Sequence, residues 1–367
     1  MSNENRTINR RVALTGGLAL PAVALAAPAI AQGAPKVTWR LASSFPKTLP
    51  SLFGGVYLFI DRVKEATDGN FNIQYFAPGE IVPPLQTLDA VQNGTVELTH
   101  TGSYYFIGKS PAFAFGTQMP FGLNARQQEA WIDHAGGGPL LDEFYAKYNV
   151  QHFKFGNTGA QMMGWFRKEL KTPEDLKGLK FRIGGIAGQI MAKTGAVPQQ
   201  IALSDVYQAL ERGSIDGADY VSPMDDVKLG LARVAKYYYY PAWQENGPLT
   251  NLFVNMDRWK ELPPSYQAIV KAASAEASHY MTSMYDAMNM ASLRQIIADG
   301  GEIKPLPQEI MDTLFRASVE VYEETAAKDE QFKKIYDHWK NFRAEVSLWF
   351  SVSETPMDLT VQRLVRS

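Results

Sequence analysis

One eight-residue pattern occurs twice in this chain and limits what it can fold into. Ala90-Val91-Gln92-Asn93-Gly94-Thr95-Val96-Glu97 and Ala209-Leu210-Glu211-Arg212-Gly213-Ser214-Ile215-Asp216 align at a constant offset of 119. Each reads as a helix end, a glycine just past it, and a strand that carries an acid. Helix–glycine–strand joints recur in any α/β protein, which is one reading. The other is two lobes built on one plan, facing each other across a cleft. That plan pairs His100 with Asp219 and Thr101 with Tyr220. These stand at the carboxyl ends of strands, where open α/β sheets bind ligands.

The flanking sequence extends the plan. Val37, Trp39 and Leu41 alternate with polar neighbours, which predicts a strand over Val37–Ala42. Apolar residues at 56, 59, 60 and 63 predict a helix over Phe53–Asp68, which Gly69 stops. Phe71–Phe76 reads as a strand, Leu85–Asn93 as a helix and Val96–His100 as a strand. The order β-α-β-α-β implies a mostly parallel sheet. Further on, Gln161–Arg167 reads as a strand, and Thr172-Pro173-Glu174-Asp175 as a capped helix start. Leu179–Ile183 reads as a strand that runs into Gly184-Gly185 and a helix to about Thr194. A short strand closing at Ile201, a helix capped by Ser204, and a strand over Ile215–Tyr220 follow. Past Trp243 the pattern turns helical, over Pro263–Asp299, Pro307–Lys328 and Asp329–Phe350. No low-complexity linker appears, so several crossings of ordered chain are expected to join the lobes.

The length of 367 residues fits roughly two domains. Residues 1–31 read as a targeting segment ahead of them. Arg6, Arg10 and Arg11 form a positive start, Val12–Ala27 is apolar and uncharged, and Ala29-Ile30-Ala31 before Gln32 is an A-x-A cleavage site. Gly16, Gly17, Pro21 and Pro28 suit a weak signal core better than a membrane span. Arg10-Arg11 points to the twin-arginine route, although a Sec signal can also carry two arginines. The chain has no cysteine, which excludes disulfides, thiol nucleophiles, Cys-based metal sites and a lipid-anchored start. An exported, unlipidated chain of this kind is expected in the periplasm. Its net charge of −2 leaves no electrostatic footprint for nucleic acid.

Motifs for catalysis are missing: no nucleophile elbow, no H-E-x-x-H, no phosphate loop, no G-x-G-x-x-G. The histidines at 100, 134, 152, 279 and 338 show no metal-ligand spacing. Asp225-Asp226 read as solvated acids near a helix start. Gly136–Gly138 read as a loop. The informative stretch is Phe155–Arg182, where Asn157, Gln161, Trp165 and Arg167 interrupt apolar sequence. Arg182 ends a strand and is followed by Gly184-Gly185 and a helix. An arginine there can grip a carboxylate with two parallel hydrogen bonds, and the helix start favours the same anion. Arg167, followed by Lys168 and Glu169, is the rival clamp with a solvated look. Tyr237–Tyr240 read as a strand with two rings on each face. Glu245, among aromatics, needs a cation or a donor, because burying it unpaired is costly. Gln161, Asp219 and Glu245 together offer hard oxygens to Na⁺ or Ca²⁺.

These residues resemble the extracytoplasmic receptors of tripartite ATP-independent periplasmic (TRAP) transporters, the DctP-like family. The resemblance covers nearly the whole chain after residue 31. It is carried by Val37-Thr38-Trp39-Arg40-Leu41-Ala42-Ser43-Ser44, by Leu176-Lys177-Gly178-Leu179-Lys180-Phe181-Arg182, and by Tyr207-Gln208-Ala209-Leu210-Glu211-Arg212-Gly213-Ser214-Ile215-Asp216-Gly217. Ser44-Phe45-Pro46-Lys47, Asn157-Thr158-Gly159-Ala160-Gln161 and Tyr237–Pro241 look most like the branch that binds 2-oxo acids such as pyruvate with a metal ion. The resemblance implies an α/β, two-lobed periplasmic binding protein fold, each lobe a mainly parallel sheet flanked by helices, with a long helical C-terminal region. Lobe I would hold 36–154 and about 245–285, and lobe II 155–244 with part of the C-terminal region. Helices over 307–350 would form a homodimer contact. Arg182 falls on the carboxylate-binding arginine, and Asn157 and Tyr104 on positions that help hold the ligand. Trp243 falls on the pocket wall. Gln161, Asp219, Tyr220 through its carbonyl, and Glu245 fall on the site of a bridging cation, Na⁺ with Ca²⁺ as the alternative. The branch has Glu-Trp where this chain has Asp219-Tyr220, and the shorter acid puts ligand size and ion choice in question. The implied role is a receptor, not an enzyme. It would bind a small carboxylate and deliver it to TRAP membrane permease subunits. The alternatives are a receptor for a hydroxy acid, a dicarboxylate or an aromatic acid, a periplasmic metal-dependent lyase or hydrolase on oxo acids, and a sensor for a membrane kinase.

Overall fold

A computed structural model describes residues Pro35–Arg366, so the targeting segment read over 1–31 lies outside the described residues. The chain runs β1 (Val37–Ser43), α1 (Pro50–Ala66), β2 (Phe71–Phe76), α2 (Thr87–Gln92), β3 (Leu98–Thr101), α3 (Ala125–Asp133), α4 (Gly137–Ala146) and β4 (Val150–Asn157). It continues with β5 (Gly164–Phe166), β6 (Lys180–Arg182), α5 (Gly185–Lys193), β7 (Val197–Gln199), α6 (Val206–Glu211), β8 (Gly217–Ala218), α7 (Pro223–Leu229) and β9 (Tyr237–Tyr240). Then come β10 (Leu249–Asn255), α8 (Met256–Glu261), α9 (Pro264–Ala298), β11 (Glu302–Pro305), α10 (Gln308–Lys328), α11 (Glu330–Val352) and α12 (Glu354–Arg366).

The strands form two sheets, in the orders β2-β1-β3-β10-β4 and β11-β9-β5-β8-β6-β7. The parallel pairs expected from the βαβ order are present, β1 with β2 and β3, and β6 with β7 and β8. Each sheet also takes in an antiparallel strand: β10 lies against β3 and β5 against β8. The sheets are therefore mixed. The sequence reading does not mark β10 because all seven of its residues are buried, so no alternation shows. The chain passes between the sheets after β4, after β9 and, through α9, before β11.

The repeated joint is built the same way twice. Gly94 and Gly213 take φ of +71° and +69°, a left-handed turn open to glycine without strain. Thr95 and Val96 donate their backbone N–H groups to the Ala90 carbonyl, and Ser214 and Ile215 donate theirs to the Ala209 carbonyl. The acid then accepts from the neighbouring parallel strand: Arg40 N–H to Glu97 at 2.7 Å, Lys180 N–H to Asp216 at 2.9 Å. One local sequence thus builds the same joint beside a parallel neighbour in both sheets.

Several expectations need correction. The Gln161–Arg167 strand is only Gly164–Phe166, because Gln161 N–H turns away to the Glu245 carbonyl at 3.0 Å. The strand expected up to Ile201 lies at Val197–Gln199, and the one over Ile215–Tyr220 shrinks to Gly217–Ala218. Ser204 does not cap α6; it sits in a 3₁₀ turn, Leu203–Asp205, and bonds Asp205. Gly137 and Gly138 open α4 after Gly136 in a left-handed conformation. Asp225 and Asp226, expected in solvent, are fully buried where α7 packs on α9 and the second sheet. Tyr285 donates to Asp225 at 2.5 Å; Trp165 and Tyr238 donate to Asp226 at 2.8 and 2.7 Å. Acids near a helix start look solvated in sequence, and here the covering helix arrives sixty residues later. Burial pushes Asp225 up to about 8 and Asp226 up to about 7. Among the described residues no helix is long and apolar enough to cross a membrane.

Candidate ligand and cation site

Arg182 closes β6, a strand held between β7 and β8, so its side chain has no route to solvent and is fully buried. Nε donates to the Ile201 carbonyl at 3.1 Å. Nη1 donates to the Asp219 carbonyl at 2.8 Å and to Asp219 Oδ2 at 3.3 Å. Nη2 has only the Tyr105 hydroxyl, at 3.5 Å. The weakly engaged Nη2 edge is the part of the fork left for an incoming anion. Asp219 follows β8, and its own N–H donates to the Arg182 carbonyl at 2.9 Å, so the two residues fix each other.

Gly184 and Gly185 come next and start α5. A Cβ on Gly184 would stand 2.2 Å from Tyr104 Cε2, and one on Gly185 2.6 Å from Tyr104 Cδ2. Glycine here lets Tyr104, from the 3₁₀ turn Ser103–Phe106 after β3, lie on the helix start. Tyr104 stacks on Tyr105 with ring centres 4.6 Å apart. This is a close contact between the two halves. Tyr104, Gln118, Pro120, Gly184, Gly185, Gln244 and Glu245 line a cavity of about 10 Å³, in the range of a single water.

The other expected residues fall as follows. Gln161 is buried; its Nε2 donates to Thr158 Oγ1 at 3.0 Å, and its Oε1 has no partner. Glu245 is buried beside the Tyr104 hydroxyl. Tyr220 is buried next to Asp219 along the chain. Trp243 is buried against Phe121, ring centres 5.7 Å apart, with its indole N–H unpartnered. Asn157 is buried with both ends of its amide engaged: it donates to the Gly247 carbonyl and accepts from Gly159 N–H, each at 2.8 Å. It fastens the 245–248 loop to the end of β4. Arg167 is exposed beside Gly213 and takes no part. Gln244 was not expected. It donates to Asp219 Oδ1 at 3.1 Å and is fully buried among these groups. Sequence gives it no signal of its own, because a glutamine between Trp243 and Glu245 reads equally well as a spacer.

Burial pushes Glu245 well above the usual carboxylate range, and the neighbouring Asp219 adds to this. Burial also raises Asp219, to about 6, while Arg182 and Gln244 pull it back. Burial works to lower the Arg182 guanidinium, but the surrounding tyrosines and acids outweigh it and hold it raised. The donor set suits a hard cation: two carboxylates and neutral amide oxygens, one of them unpartnered at Gln161. Among the described residues no group of three or more His, Cys, Asp or Glu side chains is arranged to hold a metal, so neutral oxygens must complete any shell here.

Residues 43–329 match the family described as bacterial extracellular solute-binding protein, family 7 (DctP). Over 320 residues the chain is 49% identical to a monocarboxylate 2-oxoacid-binding periplasmic protein of Nostoc sp., covering 87% of this chain and 88% of that protein. It is similar to a TRAP transporter solute-binding protein from Bordetella bronchiseptica, at 45% identity and a TM-score of 0.89, over 90% of this chain and 99% of that chain. That structure is a mixed-occupancy dimer with copurified calcium and picolinate in one site versus an apo site. A TRAP periplasmic solute-binding protein from Pseudoalteromonas atlantica with bound sodium and pyruvate aligns at 35% identity and a TM-score of 0.85, over 88% and 98% of the two chains.

Proposed function

Because the chain belongs to the DctP family of bacterial extracellular solute-binding proteins, we propose that it is a periplasmic TRAP receptor which closes around a small 2-oxo monocarboxylate, pyruvate-like, with a bridging cation. The buried donor set carries this reading. One buried arginine, Arg182, faces two buried acids, Asp219 and Glu245. Burial works against ionising both acids together, and once both are ionised a monocarboxylate entering alone would meet a net negative site. A cation held by Gln161, Asp219, the Tyr220 carbonyl and Glu245 reverses that, and Na⁺ and Ca²⁺ both accept such oxygens. A 2-oxo acid offers the ion its keto and carboxylate oxygens together while the carboxylate also meets Nη2 of Arg182. Tyr104 and Trp243 wall the ligand, and Asn157 shapes the loop behind it.

The hinge lies where the chain passes between the sheets. The chain changes sheet between β4 and β5, close to the expected cut at 154. Ligand contacts to both lobes at once favour the closed state, which is then read by TRAP membrane permease subunits. Residues 1–31 direct export.

Thermal shift and calorimetry with pyruvate, 2-oxobutyrate, 2-oxovalerate, lactate and succinate test the reading. The 2-oxo acids are expected to bind at micromolar affinity or better, roughly −8 kcal/mol. At a thousandfold excess over Kd, that adds about 4 kcal/mol of stability. Chelator in sodium-free buffer should remove the effect. No response to any monocarboxylate sinks the assignment, a response only to succinate moves it to dicarboxylates, and turnover of pyruvate seen by NMR moves it to an enzyme.

The C-terminal helices form the dimer contact. Leu348, Val352 and Val365 are 70%, 73% and 80% exposed, with Trp349, Leu359 and Leu364 beside them, a large apolar patch on an exported chain. A second copy covers this face. Light scattering should give a dimer for the full chain and a monomer for a chain ending at Phe342; a monomeric full chain refutes the contact.

A further inference from the structure

Gln244 is fixed more tightly than a pocket-lining glutamine requires. Its side chain is 1% exposed. Nε2 donates to the carbonyls of Met162 and Met163, at 3.2 and 3.1 Å, and to Asp219 Oδ1 at 3.1 Å. All three partners are acceptors, so the nitrogen must stand on that side and the amide cannot be turned round. Oε1 therefore points away from them, and it is buried without a partner. Gln244 also borders the small cavity, with Glu245 and Tyr104. Leaving such an oxygen buried and unpaired is unfavourable by roughly 1–3 kcal/mol. Arg182 is not its donor: its hydrogen bonds go to Ile201, Asp219 and Tyr105.

Asp219 is engaged at both oxygens, Oδ2 by Arg182 and Oδ1 by Gln244, which holds its carboxylate in one orientation. Gln161 presents a second unpartnered amide oxygen, and its backbone N–H donates to the carbonyl of Glu245. We infer that Gln244 is a direct oxygen ligand of the cation, and that through Nε2 it also sets where Asp219 Oδ1 stands. The inference rests on the cation reading of the preceding section. Gln161, Asp219, Gln244 and Glu245 then supply one side-chain oxygen each, beside the Tyr220 carbonyl. With two from a 2-oxo acid the shell reaches about seven, inside the range calcium takes. A neutral fifth protein ligand fills that shell without adding a third negative charge.

Calcium chloride titrated into chelator-stripped protein at saturating pyruvate is the measurement, with sodium chloride in a parallel arm. Pyruvate is then titrated at saturating calcium. Gln244→Met keeps the length and removes both the oxygen and the donor; Gln244→Glu keeps an oxygen. The Met variant is expected to need roughly 10- to 100-fold more calcium, and to lose ligand-free Tm as well, because the Met162 and Met163 carbonyls and Asp219 Oδ1 lose their buried donor. Gln244→Glu returns the oxygen without the amide donor, and is expected to recover most of the calcium affinity while its Tm stays below that of the unaltered protein. Unchanged calcium affinity in the Met variant overturns the ligand assignment. So does a calcium loss that Glu fails to recover, which is the pattern of a packing residue. If the unaltered protein binds pyruvate equally well without any cation, the cation reading itself falls, and this is seen before any variant is made.

Discussion

Replacing Arg182 by methionine is expected to remove carboxylate binding at concentrations that saturate the unaltered protein, and to lower stability as well. The guanidinium is fully buried and is the one cation paired with Asp219. Removing one partner of a buried pair costs about 3–5 kcal/mol, because the other charge is left uncompensated. The same loss applied to the ligand carboxylate weakens binding by roughly 10²- to 10⁴-fold. Calorimetry with pyruvate and urea unfolding of the ligand-free protein separate the two effects. Arg182→Lys keeps the charge but not the planar fork, so it should fall between. Affinity within tenfold of the original in the Met variant would end the clamp assignment.

Gly184→Val should block closure and leave each half folded. Gly184 has φ of −94° and ψ of 163°, an extended conformation any residue adopts, so the backbone accepts valine without strain. What it cannot accept is a side chain under Tyr104, whose ring stands 2.2 Å from the position of the new Cβ. The clash exists only when the halves meet. The expected result is at least a hundredfold loss of pyruvate affinity with ligand-free Tm within about 2 °C, since a surface-type change in the open form is nearly neutral. Small-angle scattering gives the second readout: pyruvate should no longer compact the variant. Compaction at the usual ligand concentration would show that Tyr104 moves aside and that this contact does not gate closure.

Much of this site was legible because its residues are chemically out of place. Arg182 ends a strand just ahead of Gly184-Gly185, Glu245 stands in an aromatic run, and Gln161 in the stretch before Trp165; each needs a reason to be buried. The repeated joint was legible because glycine and an acid recur at fixed positions. Gln244 was not, because the meaning of a glutamine depends on which end of its amide is satisfied, and only three dimensions show that. The resemblance places Asn157 on a position that helps hold the ligand, and the fold adds that its amide engages Gly159 and Gly247. Asp225 and Asp226 read as solvated because the residue that receives them, Tyr285, belongs to a helix far along the chain. β10 was hidden by burial on both faces, which leaves no alternation to read.

The passages of chain after β4, after β9 and through α9 have a consequence for how affinity arises. Two bodies on one flexible tether can twist, slide and drift, and capture by a ligand must freeze all of those freedoms. Here three covalent connections run between the two sheets, one of them a helix of 35 residues that packs on α1 and β4 on one side and on α7 on the other. Such a frame leaves little besides a single opening angle. The entropy surrendered on closing is correspondingly small, and more of the contact energy from Arg182 and its neighbours is left to appear as binding.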